Sequence, residues 1–344
     1  MSALRAVADG VSATPLANLT WRLRKSRRKS GRALVLMYHR VSSEPDYLGM
    51  SVTPERFEEQ MQLLRRRTRV VPLVDLVGKL GRQQPLEEDL TAITFDDGYR
   101  DNLETALPIL ERHGLPATVF VTTDFLDDKT LPDGERLRQA FEHLWADGSA
   151  PALTSDATGS IAPAIRRALA KPGSFDAVRE VRQKLKHLPA NEIERVMATL
   201  EQRSGTAEPK STPAGLMLHW HEVRVLAARG VEIGSHTVSH AILSRVTDSV
   251  AARELRESKQ RLEEATGKPV VGFAYPNGQA TDFSQTHVSA LRQLGYVYAC
   301  SAVRGINRPG SDLFRLRRIG VGNHSAALLD LKLALGGPVQ PCAA

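Results

Sequence analysis

Ala92-Ile93-Thr94-Phe95-Asp96-Asp97-Gly98-Tyr99 is the stretch on which the reading of the chain turns. Its first four residues are apolar and partly β-branched, the signature of a short buried strand. Two adjacent carboxylates follow, then a glycine that lets the backbone turn sharply. Both acids are thereby expected at the C-terminal rim of the strand, where chemistry collects in parallel α/β folds. Asp-Asp-Gly on its own is equally an ordinary turn. A second cluster, Gly234-Ser235-His236-Thr237-Val238-Ser239-His240, tips the balance. It follows the candidate strand Val231-Glu232-Ile233 and places two imidazoles four residues apart, on one helical turn or in a loop. Two imidazoles and a carboxylate form a frequent catalytic ligand set for zinc, with one position left open.

Outward from these motifs the chain alternates strand and helix. Ala33 to His39 is a continuous apolar run with a polar tip, as expected for the first buried strand of a parallel sheet. His39 should then share the rim with Asp96. Thr53-Pro54-Glu55 opens a helix with Thr as cap and Pro at the first position. Ala117 to Val121, Val270 to Tyr275, Tyr296 to Ala299 and Phe314 to Gly320 are further strands, and Asp101 to His113, Glu222 to Arg229, Asp248 to Thr266, His287 to Leu294 and Ser325 to Leu335 are helices. The fold class is α/β: a distorted (β/α) barrel of about seven strands. Residues 127–213 break the alternation. They include helical pieces, Gly134 to Trp145 and Asn191 to Gln202, and are too long for an ordinary connection. The expected organisation is a basic arm over 1–32, a barrel over 33–335 interrupted by a helical insertion over 127–213, and a tail over 336–344.

At 344 residues, 42% hydrophobic and 25% charged, the composition is that of a soluble globular protein. No run approaches the roughly 18 apolar residues of a membrane span, and the N-terminus lacks a signal-peptide core. The two cysteines, Cys300 and Cys342, lie far apart with no metal spacing, which argues against a disulfide scaffold. The expected compartment is cytoplasmic, with membrane association left open. Much of the net charge of +7 lies between Trp21 and Arg32. That run reads as a solvated arm, or as a surface for anionic lipid headgroups or a diphosphate-linked substrate with Trp21 as interfacial anchor. It lacks the aromatic interleaving of a nucleic-acid patch.

Together the motifs resemble the polysaccharide deacetylase family, which includes chitooligosaccharide and peptidoglycan deacetylases. The resembling residues are Thr94 to Gly98, Ser235 to His240, and Phe273-Ala274-Tyr275-Pro276-Asn277-Gly278, in the family's order. Leu36-Met37-Tyr38-His39-Arg40-Val41 is similar to members acting on exopolysaccharides. The resemblance implies that Asp97, His236 and His240 bind a divalent metal, usually zinc, and that Asp96 is the general base. It implies hydrolysis of the acetamide of an N-acetylated sugar in a polysaccharide, oligosaccharide or glycolipid. The oxyanion would meet the metal and a backbone N–H near Asn277. His39 is a second catalytic candidate from its strand-end position, and Tyr275, Pro276 and Asn277 are candidates for substrate contact.

Three positions depart from the family pattern. Ala274 stands where an arginine usually orients the catalytic Asp, Asn277 stands where an aromatic is common, and the late general-acid histidine has no clear counterpart. His324 lacks the hydrophobic run before it. Two rival readings follow: a carbohydrate-binding protein on a decayed scaffold, and a metal-dependent amidase of small non-sugar amides. Arg315, Arg317 and Arg318 are read as binding an acidic sugar or covering the barrel end. His219-Trp220-His221 is read as a helix cap and surface.

Overall fold

The computed structural model describes residues 21, 30–44, 49–128, 130–147, 159–206 and 215–335. The basic run 22–29 and Cys342 lie outside the described residues. The frame is a closed barrel of parallel strands: β1 (Ala33–Tyr38), β5 (Leu90–Phe95), β6 (Thr118–Val121), β7 (Glu232–Ser235), β8 (Gly272–Ala274), β9 (Tyr298–Arg304) and β10 (Leu316–Gly320). Their order is β1-β10-β9-β8-β7-β6-β5, and β5 closes on β1 with Tyr38 opposite Phe95. A short strand, β4 (Arg69–Val70), pairs with Leu90 and Thr91 on the β5 edge that β6 takes over at Thr94. β2 (Arg40–Val41) and β3 (Ser51–Val52) form a separate pair at the rim. The barrel is the (β/α) barrel of about seven strands expected from the alternation.

Strand parity sorts the side chains. Ala33 and Val35 of β1, Ala92 of β5, Phe120 of β6, Ala274 of β8, Tyr298 and Cys300 of β9 and Leu316 of β10 share one interior cluster. Their neighbours Leu34, Leu36, Ile93, Phe95, Val119, Phe273, Ala299 and Ile319 pack outward against the helices. These include α1 (Pro54–Arg67), which Thr53 caps by accepting from the Arg56 N–H, and α3 (Leu107–His113). α2 (Leu73–Gly81) contributes Leu73, Leu76, Val77 and Leu80 to the interior cluster, so it closes the N-terminal end of the barrel. The open end is therefore the C-terminal rim.

The interior tolerates no extra volume beside the histidine motif. A Cβ on Gly234 would lie 2.4 Å from the Phe120 ring and 3.2 Å from the Gly272 carbonyl oxygen. Gly234→Ala is expected to lower stability by about 1–3 kcal/mol, the usual cost of overpacking a core. Equilibrium denaturation checks this; an unchanged midpoint would mean that β6 and β7 can separate freely.

Among the described residues of 127–213 are the helices α4 (Asp133–Ala146), α5 (Ala162–Leu169), α6 (Phe175–Leu185) and α7 (Ala190–Ser204). Leu137, Phe141, Ile165, Val178, Val181, Met197 and Leu200 give these helices a core of their own. Trp21 is not free to act as a membrane anchor. Its indole N–H donates to Asp330 at 2.8 Å and its ring lies under the Arg32 guanidinium. Among the described residues no helix is long and apolar enough to cross a membrane.

Candidate active site

The parity that fills the barrel also builds the site. Ala92 and Thr94 point inward, so the next residue of that parity, Asp96, does too. Gly234 precedes His236 in the same way, and Leu316 precedes Arg318. Asp97 then leaves the strand with φ 75°, Thr237 has φ 70°, His240 φ 60° and Asn277 φ 58°. Four of the six described non-glycine residues with positive φ thus sit in the rim motifs. Such strained backbone is held by its surroundings and clusters at functional sites. The Thr122 N–H donates to the Asp97 carbonyl and the Thr123 N–H to the Thr237 carbonyl. Buried Glu254, on α9 (Asp248–Thr266), accepts from the N–H groups of Val238 and Ser239 and from the Ser239 hydroxyl. The histidine motif is a loop, not a helical turn, and Glu254 fixes it.

Asp97, His236 and His240 converge: one candidate ligand atom from each lies within 4.8 Å of the others. Both histidine Nε2 atoms stand 3.5 Å from Asp97 Oδ1. That separation is too long for a hydrogen bond, and Asp97 Oδ1 is buried with no hydrogen-bond partner. Such an orphaned acceptor needs an explanation, an ion among them. His236 Nδ1 lies 2.7 Å from the Ala274 carbonyl oxygen, so it carries the proton and leaves Nε2 as the free lone pair. A backbone carbonyl behind the imidazole is the common arrangement for a metal-ligating histidine. The donor set therefore fits a divalent cation.

Burial pushes His240 down to about 3, against the opposing pull of Asp97. Burial also lowers His236, but the contact with Asp97 and the charge of Asp96 outweigh it and leave a net rise. Burial raises Asp97, yet the facing imidazoles hold it far below the carboxylate range.

Asp96 is gripped by Arg318. Nη1 and Nη2 donate to Oδ1 and Oδ2, each at 2.7 Å, while Nε donates to the Ser301 carbonyl. Arg318 is 1% exposed and its guanidinium lies over the Phe120 ring. This corrects the reading of the arginine run. Arg318 neither covers the barrel end nor meets a sugar, because its strand parity turns it inward; only Arg317 and Arg315 are exposed. Burial would raise the Asp96 carboxyl, but the Arg318 charge brings it below the usual range.

His39 continues the inward parity of Ala33 and Val35 and is close enough for Asp97 and Asp96 to pull its pKa up, although burial lowers it overall. Its carbonyl accepts from Asn102. Pro276 is buried. Asn277 is half-buried, its amide donates to Asp282, and its backbone N–H donates no hydrogen bond among the described residues. Tyr275 is a correction. Its ring stacks on Phe283 at 3.8 Å and its hydroxyl donates to the Phe314 carbonyl, so packing takes up the whole side chain and no face is left for substrate. His324 is also elsewhere, 2.7 Å from the Lys332 amine. The His219 N–H donates to Glu222 and its ring meets Asp127 at the start of α8 (Trp220–Ala228), as a cap does.

The polysaccharide deacetylase family model matches residues 83–153 and 175–299. The chain belongs to the polysaccharide deacetylase family. YxkH of Bacillus subtilis, a polysaccharide deacetylase by name, is 30% identical over 118 residues, 33% of this chain and 40% of that protein. The chain thus matches well under half the length of that curated relative. Among solved structures, the deacetylase PplD of Streptococcus pyogenes shares the fold with a TM-score of 0.57 at 17% identity, covering 90% of this chain and all of that one. IcaB from Ammonifex degensii gives 0.56 at 17% identity, covering 88% of this chain and 96% of its own. Against the polysaccharide deacetylase pattern, the absent arginine at Ala274 finds its counterpart in Arg318. Both side chains belong to the barrel interior, Ala274 from β8 and Arg318 from β10.

Proposed function

We propose that this chain is a metal-dependent N-deacetylase that hydrolyses the acetamide of an N-acetylated sugar in a polysaccharide, oligosaccharide or glycolipid. The observation that carries this reading is the pairing of two buried carboxylates with opposite surroundings. Asp97 offers an unpartnered oxygen to two imidazoles, while Asp96 beside it is held by an arginine. A divalent cation held by Asp97, His236 and His240, with zinc the best match to this donor set, would polarise the acetamide carbonyl and acidify water.

The chain's own residues divide the remaining work. Asp96 takes the proton of the attacking water; each of its oxygens keeps a lone pair free while Arg318 holds the carboxylate in place. The new C–O bond forms at the acetyl carbon, and the Asn277 N–H is a donor for the developing oxyanion. The C–N bond then breaks. Asp96 returns the proton to the leaving nitrogen, so acetate departs and the amine stays on the sugar. His39, inward at the same rim, is the further polar group available to the acetamide.

Acetate release from N-acetylglucosamine oligomers tests the proposal. Turnover should disappear on chelation and return with added zinc. Undiminished turnover in the presence of chelator would exclude the mechanism.

A further inference from the structure

The helical insertion is not confined to its own core. Glu135 of α4 lies 3.6 Å from Arg40, which also binds Asp101 at the end of the loop behind the Asp96–Asp97 motif. Directly after α6, the Lys186 amine donates to the Asn277 side-chain oxygen at 2.7 Å. Between them runs α6. Its Arg179 lies over Gly49, in the segment leading to β3, and its C-terminal end reaches the loop after β8. β1 and β8 are on opposite sides of the barrel. An eleven-residue helix is about 16 Å long, and the two contacts fall on rim segments behind β1 and behind β8.

Two cations are carried across by this bridge. Lys186 and Arg182 are four residues apart and so share a helical face. Both are half-buried. The Arg182 charge acts on His39 behind β1, on Tyr99 behind β5 and on His240 behind β7, three side chains on separate rim loops. The Lys186 charge acts on Asp97 and His240. Arg179, Arg182 and Lys186 follow i, i+3, i+7 spacing on one helical face, and the contacts of Arg179 at Gly49 and of Lys186 at Asn277 turn that face, with Arg182 between them, toward the mouth. No carboxylate makes an ion pair with either cation among the described residues: Asp133 lies 3.6 Å from Arg136, and Asp282 accepts from Asn277 and the Gln279 N–H. The Arg182 guanidinium makes no hydrogen bond or ion pair among the described residues. Burial and the neighbouring Arg182 charge lower Lys186 to about 8. Half-burying an arginine beside a lysine with no direct ion pair for either is unfavourable unless an anion completes the arrangement.

We propose that Arg182 and Lys186 form an anion subsite at the mouth of the metal site, so that the preferred substrate is an N-acetylated sugar bearing a carboxylate or phosphate near the acetamide. This rests on the deacetylase reading above. A guanidinium can grip either group through two parallel hydrogen bonds, and the lysine adds a point charge.

The test uses the zinc-loaded full chain and three N-acetylglucosamine tetrasaccharides: neutral, oxidised to a uronate at one C6, and phosphorylated at one C6. Acetate release gives kcat/KM for each, and calorimetry gives Kd for each on the Asp96→Asn protein. One acidic probe should exceed the neutral one by at least about tenfold in both readouts, and which of the two does so identifies the anion. Arg182→Gln should remove most of that ratio, with Lys186→Gln removing less. Equal values on all three probes, or a ratio that survives Arg182→Gln, would overturn the subsite. Absence of acetate release from every probe would defeat the deacetylase reading, and the Kd ratio would still decide for or against the subsite.

Discussion

Asp96→Asn is expected to cut kcat by about 10²–10⁴-fold, the range for loss of a general base, while the protein still takes up its metal. The two halves of that outcome separate the adjacent carboxylates. Asparagine keeps the shape of Asp96 and can still meet Arg318, but it cannot accept a proton. The unpartnered oxygen facing the imidazoles belongs to Asp97, not Asp96. Metal content by elemental analysis and kcat by acetate release should therefore diverge in Asp96→Asn and fall together in Asp97→Asn. If Asp96→Asn lost its metal, the division of labour between the two acids would be wrong. If it kept its rate, another group would be taking the proton.

The second large effect concerns Arg318→Met. Removing one partner of a buried pair leaves the other charge uncompensated, at a cost of about 3–5 kcal/mol. Desolvation, now unopposed, raises the Asp96 carboxyl. The sign is fixed by the wild-type direction: Arg318 depresses Asp96, so the stability it confers is full at neutral pH and is lost as pH falls below the carboxylate range. In Arg318→Met the activity should fall at pH 7 and the acidic limb of the pH–rate profile should move to higher pH. Adding Ala274→Arg should recover part of both losses, because that side chain starts from the same interior and the methionine leaves room for it. Thermal unfolding and pH–rate profiles read these outcomes. A stable, fully active Arg318→Met would show that the carboxylate needs no arginine.

What could be read in advance follows from how local the information is. Asp96, Asp97, His236 and His240 come after short apolar runs whose ends place them at one rim, so strand length and order suffice to gather them. Arg318 carries a signal in its parity: it shares a face with Leu316 on a buried strand, and an arginine on a buried face requires a partner. Glu254 carries the same kind of signal, a carboxylate on the packed face of α9 beside Leu255 and Ser258. Tyr275 departs from the expectation because its place beside the rim motif does not fix its side: Phe273 and Phe283 draw its ring into packing. Arg182 and Lys186 carry no sequence signal. Their place over the mouth depends on how α6 docks, which no periodicity within 127–213 encodes. The decayed-scaffold reading grew from the missing arginine, and Arg318 supplies that contact from another strand.

Metal stoichiometry tests the central claim most directly. Purified wild type, Asp97→Ala, His236→Ala and His240→Ala would each be loaded with zinc, freed of excess and analysed for bound metal. The account predicts about one zinc per wild-type chain and little or none once any of the three ligands is removed. A full equivalent of zinc retained by all three variants, or acetate released at full rate by a wild-type chain that holds none, would contradict it.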